Sequence, residues 1–238
     1  MIRLLHLDGS ARPGRSGEHA HGSHTRRLGA RFVARWRRLR PQDPVVHRDV
    51  GQAPPAPVDG RWVHAAFTPP AQREPWMDER LAESDALVDE LIASDLVVAG
   101  VPMYNFGMPA QVKAWIDNVV RVGRTFGFDR TRAGAPYWPL LAGQDRRVVL
   151  LGARGDHGYD PGGRLEADNL VERGVMTPLR YLGIEAFDCI AVEYDEFADA
   201  RLQASLASAE AAVDALVDRL VAEAARRAPA DPAARVAS

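Results

Sequence analysis

Cysteine is almost missing from the 238 residues: Cys189 is alone, so the chain closes no internal disulfide and builds neither a Cys-x-x-Cys redox pair nor a zinc knuckle. A reducing compartment suits such a chain. Lysine is as scarce, and the sole Lys113 excludes a Walker A loop. No two glycines stand as Gly-x-Gly, which removes the dinucleotide fingerprint of Rossmann enzymes. Gly-x-Ser-x-Gly and His-Glu-x-x-His are also missing, which argues against a serine hydrolase and a zinc protease. No apolar run approaches membrane-spanning length, and the first residues lack a secretory core, so a soluble, cytoplasmic protein with no membrane partner is expected. A net charge of −2 gives no general grip on nucleic acid.

What the chain does contain is globular: 46% hydrophobic and 26% charged residues. Short apolar runs alternate with longer helical patterns, the signature of βαβ units around a parallel sheet, and hence an α/β fold. Strands are expected at 3–7, 45–49, 95–100, 147–151 and 187–192, the third and fourth the most buried. Helices are expected at 25–39, 77–93, 109–122, 165–181 and 198–226. The third is the clearest, with Pro109 at its first position, Gly123 as its stop, and Val112, Trp115, Ile116, Val119 and Val120 on one face. Six prolines between 51 and 75 suggest a long irregular excursion. One domain over 1–228 with a frayed tail at 229–238 accounts for the whole length.

Two groups with possible chemistry have plainer readings. His19, His21 and His24 have only Glu18 as a nearby carboxylate, so a mobile basic loop is expected there and no metal. Cys189, in a strand, is expected to be a small core residue.

In an open parallel sheet, ligands sit beyond the carboxyl ends of the strands, which directs attention to three loops. The first runs from Asp8-Gly9-Ser10 to Ser23-His24-Thr25. Its hydroxyls and the following helix N-terminus suit a phosphate monoester, or they merely cap the helix. The second, Pro102-Met103-Tyr104-Asn105-Phe106-Gly107, collects apolar and aromatic groups that a solvated loop seldom carries. It suits a flat ring system or a neighbouring subunit.

Pro102-Met103-Tyr104-Asn105-Phe106, then Pro109-x-x-x-Lys113-x-x-x-Asp117 and Gly123-Arg124-Thr125-Phe126-Gly127-Phe128, resemble the FMN-dependent NADH:quinone oxidoreductase and azoreductase family. The resemblance covers most of the chain. It implies a flavodoxin-like three-layer αβα fold with a five-stranded parallel sheet of order 2-1-3-4-5. It assigns Ser10, Ser23, His24 and Thr25 to the FMN phosphate, and Pro102, Met103, Tyr104, Asn105 and Phe106 to the flavin ring. Ala153, Arg154, Gly155 and Asp156 take the place of a family Ser-Arg-Gly-Gly segment at the pyrimidine side, departing from it at Ala153 and Asp156. Phe126 and Phe128 match aromatics that shape the substrate side of the pocket, often from the partner of a homodimer.

The activity so implied is transfer of two electrons from NADH or NADPH, through FMN, to a quinone, azo compound or similar acceptor in ping-pong order, with no catalytic side chain assigned. A dedicated biosynthetic flavoreductase and a flavodoxin-like electron carrier are the alternatives. Arg124, Arg130 and Arg132, expected near the pocket, weigh against the carrier. The long stretches 11–22 and 131–144 are expected to flank the pocket. A homodimer is expected, partly from apolar faces around Trp115 and the 102–107 loop.

Overall fold

The structure, a computed structural model, describes residues 1–227; the expected tail at 229–238 lies outside the described residues. In chain order the elements are β1 (Leu4–Asp8), α1 (His24–Leu39), β2 (Val45–Asp49), α2 (Gly60–Phe67), α3 (Pro75–Ala93), β3 (Leu96–Pro102), α4 (Ala110–Val119), β4 (Phe126–Phe128), β5 (Tyr137–Pro139), β6 (Arg147–Ala153), α5 (Leu170–Tyr181), β7 (Ala186–Val192) and α6 (Ala200–Arg227). Five strands form one parallel sheet in the order β2-β1-β3-β6-β7. With the five numbered among themselves, that is the expected 2-1-3-4-5.

Alternation along each strand divides two cores. Leu4, Val98, Val149 and Leu151 face α1 and α6, packing on Leu28, Phe32, Trp36 and Val213. Leu5, Leu7, Val97, Ala99, Val148 and Leu150 face α3, α4 and α5, packing on Leu91, Trp115, Ile116 and Leu179. β3 is buried along its whole length and β6 nearly so, as central strands covered on both faces must be. Arg27, Arg31 and Arg35 on α1 pair with Glu210, Asp214 and Asp218 on α6, a ladder of matched four-residue steps that aligns the two helices.

Several expectations need correction. The proline-rich stretch 51–75 is not irregular throughout: it contains α2, capped by the Asp59 side chain on the Trp62 N–H, and a 3-10 turn at Pro70–Gln72. Its Trp62, Ala65 and Ala66 pack on Met77 and Leu81 of α3 in a small third core. The fourth expected helix starts later, at Leu170, because Asn169 caps it after a 3-10 turn at Glu166–Asp168. Cys189 is exposed, since it sits on the edge strand β7. Trp115 is wholly buried in the core and contributes no exposed face.

The stretch 120–146 holds an antiparallel hairpin, β4 against β5. Phe126 packs on Tyr181, and the Leu141 N–H donates to the Leu182 carbonyl at the end of α5. The hairpin therefore lies by the strands' amino ends, across the molecule from loop 102–107. Phe126, Phe128, Arg124 and segment 131–144 go with it, so within one copy they do not border that loop. Arg124 pairs with Asp85 and Asp89 of α3, and Arg132 lies over Trp138.

The Trp138 ring lies directly on Gly127, where a β-carbon would stand 2.0 Å from it. Gly127→Ala is expected to push Trp138 off the hairpin and lower stability by about 1 kcal/mol or more, as overpacking does. Urea unfolding reads the stability; a red-shifted emission that disappears when Trp138→Phe is added reads the ring. An unchanged emission would show that the ring does not rest there.

Candidate functional site

The first loop is held by a buried guanidinium. Arg26, in the first turn of α1, donates from Nη1 and Nη2 to both oxygens of Asp49 at 2.7 Å, from Nη2 to the Ser10 carbonyl at 2.8 Å and from Nε to the Arg12 carbonyl at 2.6 Å. Nη1 also stands 3.3 Å from Asp8 Oδ2. Burial opposes the charge, yet Asp49 and Asp8 hold the Arg26 guanidinium above its ordinary range. Asp49 in turn is pulled below the usual carboxylate range by Arg26, against the opposing effect of its own burial. One cation thus ties together the ends of β1 and β2 and the loop between β1 and α1.

With the loop so fixed, Ser10, Ser23, His24 and Thr25 come together, all buried. Ser23 caps α1 by accepting the Arg26 N–H, and its Oγ lies 2.9 Å from Thr25 Oγ1. Capping is therefore real, but it leaves the N–H groups of His24 and Thr25 without an acceptor among the described residues. Ser10 Oγ accepts the Arg12 N–H at 3.2 Å. His24 is bound on both sides, Nδ1 at 2.8 Å from Ser16 Oγ and Nε2 at 3.0 Å from Asp195 Oδ1. Gly9 runs so close to α4 that a β-carbon there would stand 2.4 Å from Val112 and 2.9 Å from the Gly100 carbonyl.

The second loop is a tight two-residue turn. Tyr104 and Gly107 exchange backbone hydrogen bonds of 2.8 and 3.1 Å around Asn105 (φ 49°) and Phe106 (φ 68°). Asparagine tolerates that conformation; phenylalanine does so at a cost of about 1–3 kcal/mol. The turn leaves Phe106 52% and Tyr104 37% exposed, while Met103 packs against the core. Tyr104 Oη accepts the Ala11 N–H at 3.2 Å, joining the second loop to the first. The Met103 N–H donates to the Ala153 carbonyl, and the Phe106 carbonyl accepts from Leu170, joining it to the third loop and to α5.

The third loop presents backbone rather than side chains. Arg154 is 3% exposed and turns inward to Glu172, Asp160 and Glu193. Asp156 is paired with Arg164 and His157, so its carboxylate is not a free charge. The N–H groups of Gly155 and Asp156 have no acceptor among the described residues.

Sequence reasoning missed Arg26, Asp49 and Asp195. A basic residue in a helix's first turn opposes the helix dipole, and at Arg26 that anomaly was the available signal.

A family model described as a flavodoxin-like fold matches residues 3–216. The chain is 40% identical over 210 residues to an FMN-dependent NADH:quinone oxidoreductase 2 of Idiomarina loihiensis, covering 88% of this chain and 87% of that protein. The chain belongs to the FMN-dependent NADH:quinone oxidoreductase family. An FMN-dependent NAD(P)H:quinone oxidoreductase 1 of Pseudomonas aeruginosa is 42% identical, over 82% of this chain and 89% of its own. Among solved structures, an FMN-dependent NADH-azoreductase of Bacillus anthracis in complex with FMN superposes with a TM-score of 0.79 over 93% of this chain and all of that one, at 16% identity, which supports the fold.

For an enzyme of this family the residues present fit FMN. Unpaired N–H groups at the start of α1, beside buried hydroxyls, offer donors to a phosphate. Two exposed aromatics on a strained turn, tied by Tyr104 to that same loop, offer faces to a flat ring.

Two measurements test the site's construction. Arg26→Ala strands Asp49, Asp8 and two loop carbonyls, and is expected to cost on the order of 3 kcal/mol of unfolding free energy, with Arg26→Lys restoring only part because an ammonium lacks the fork. A loss below about 1 kcal/mol in both variants would show that the clamp is not structural. Arg164, then His157, hold the Asp156 carboxyl down to about 2, below its ordinary 3.8. A depressed carboxylate stabilises the fold above the unfolded value and loses that contribution as pH falls from about 4 through 2. Carbon-detected NMR titration should find Asp156 near 2, and Arg164→Ala should move it back toward 3.8.

Proposed function

We propose that the protein is an NAD(P)H:quinone oxidoreductase that uses FMN to reduce quinones, with azo compounds and similar conjugated acceptors also taken, donor and acceptor binding in turn at one face. The observation that carries this reading is the link from Tyr104 Oη to the Ala11 N–H, which sets an aromatic, solvent-facing turn beside the free N-terminus of α1. A phosphate and a flat ring on one ligand require that juxtaposition.

In this reading Ser10 and the N–H groups of His24 and Thr25 bind the phosphate. Met103 to Phe106 line the ring, and the N–H groups of Gly155 and Asp156 serve its polar edge. FMN held by these residues would supply the two-electron redox chemistry that links the nicotinamide donor to the acceptor. The chain's work is to orient donor and acceptor over the ring and to hold the loops still. Arg154 acts through its backbone, its side chain being committed to Glu172 and its neighbours.

We also propose a homodimer. A groove of about 820 Å³ between α4 and α5, lined by Val58, Ile116, Val120, Leu170 and Pro178, leaves apolar surface uncovered in one copy. Phe126 and Phe128, across the molecule from loop 102–107, could then border a flavin only in a second copy.

The purified protein is expected to be yellow or to take up FMN stoichiometrically. Anaerobic NADH or NADPH should bleach it, and a quinone should restore the colour within the enzyme's turnover time. A protein that fails to bind FMN would overturn the reading. Rapid bleaching with slow reoxidation by every quinone and azo dye would favour the dedicated flavoreductase.

A further inference from the structure

Three groups on β1 and β2 meet beneath the first loop, outside the groups assigned to the flavin. His6 and Asp8 are two residues apart on β1, so both point to the α1 side of the sheet, and His47 is the registered partner of His6 on the edge strand β2. The two imidazoles stack with centroids 4.8 Å apart. His47 Nε2 lies 2.9 Å from Asp8 Oδ2, and one ligand atom from each of the three residues falls within 4.8 Å of the other two.

Within this group two buried polar atoms have no partner: His6 Nε2 and Asp8 Oδ1, on residues 8% and 5% exposed. They face each other at 3.7 Å, beyond hydrogen-bond reach. Ligands each about 2.0–2.1 Å from a tetrahedral zinc stand about 3.4 Å apart, close to that separation. Space for the ring has been made in α1, because a β-carbon on Gly29 would stand 2.6 Å from His6 Nε2. His47 is half exposed and closes the group on its solvent side, giving an ion a way in and leaving a coordination position open to water.

We propose that His6, Asp8 and His47 bind a divalent transition-metal ion of the zinc class. Two imidazoles and one carboxylate are the donor set such an ion prefers, and a harder ion such as magnesium would not choose two nitrogens. Arg26 beside Asp8 would repel a cation if it stood alone. It is held by both oxygens of Asp49, and Arg37 also acts on His6, so two carboxylates face two guanidinium groups and the donor atoms, not a net charge, favour the ion. The ion lies directly under Gly9 and Ser10, on the carboxylate that Arg26 shares with the first loop.

The test uses the full-length, tag-free protein, stripped with a chelator and reloaded with FMN. Zn²⁺ is titrated in competition with a chromophoric chelator, and melting is followed with and without the ion. One equivalent is expected to bind, with a rise in the melting midpoint as for any ligand of the native state. His47→Ala, compared with its own metal-free midpoint because it also loses the stack on His6 and the bond to Asp8, should weaken binding roughly 10-fold or more and shrink the rise. His19→Ala with His21→Ala, in the exposed loop, should change neither. Failure to bind one equivalent, equal affinity in His47→Ala, or loss of binding in the His19/His21 double variant would each overturn the proposal.

Discussion

Arg26 is the group on which the rest of the site depends. Its guanidinium, buried at the start of α1, is where β1, β2 and the first loop are fastened to one another. Burying a cation is costly unless its donors are matched, and here two carboxylates and two carbonyls match them. Only a planar fork reaches Asp49 with two parallel bonds while a third contact goes to Ser10; a lysine ammonium would satisfy fewer of these groups. Because Arg26 anchors the loop through its side chain, the loop need not fold onto the N-terminus of α1. The N–H groups of His24 and Thr25 stay available to an anion.

The same economy of contacts governs the second loop. Tyr104 reaches the first loop, Met103 the third and Phe106 the start of α5, so a six-residue segment is tied to three neighbours. That redundancy is what holds Phe106 at a φ of 68°, a conformation which an unsupported loop would relax. The three loops are one unit, and the five-stranded sheet beneath supplies its rigidity.

The five strands and most helices were legible because each carries its own local pattern: alternation in the strands, and the Pro109-to-Val120 stripe in α4. The two loops at the carboxyl ends were legible because Tyr104, Asn105 and Phe106, or Ser23 and Thr25, stand together in the chain. What was not legible depends on pairs far apart in sequence. Arg154 reads as a ligand-facing arginine until Glu172 and Glu193 are brought beside it. The β4–β5 hairpin has strands of three residues, too short for any period, and exists because Trp138 covers Gly127. α2 hides between prolines, and its reason for forming is the surface of α3. His6, Asp8 and His47 look unremarkable until the register of β1 on β2 makes them neighbours.

In the proposed reading, the exposed turn at 104–106 also limits what the acceptor side of the pocket is made of. Covering an aromatic side chain of that size is worth about 1.5–3 kcal/mol, and two of them face solvent on a backbone already strained. Such a surface is favourable only if something apolar rests on it for much of the protein's working life. Within one copy the aromatic hairpin at Phe126 and Phe128 is anchored to Tyr181, at the wrong end of the sheet, and cannot swing across without breaking the contacts of Leu141 and Leu182. A flat ring can cover the turn from one side. In the proposed reading the other face is then left to a planar acceptor or to a second copy, and the choice of acceptor would be set less by the residues that hold the cofactor than by what meets Tyr104 and Phe106 from outside.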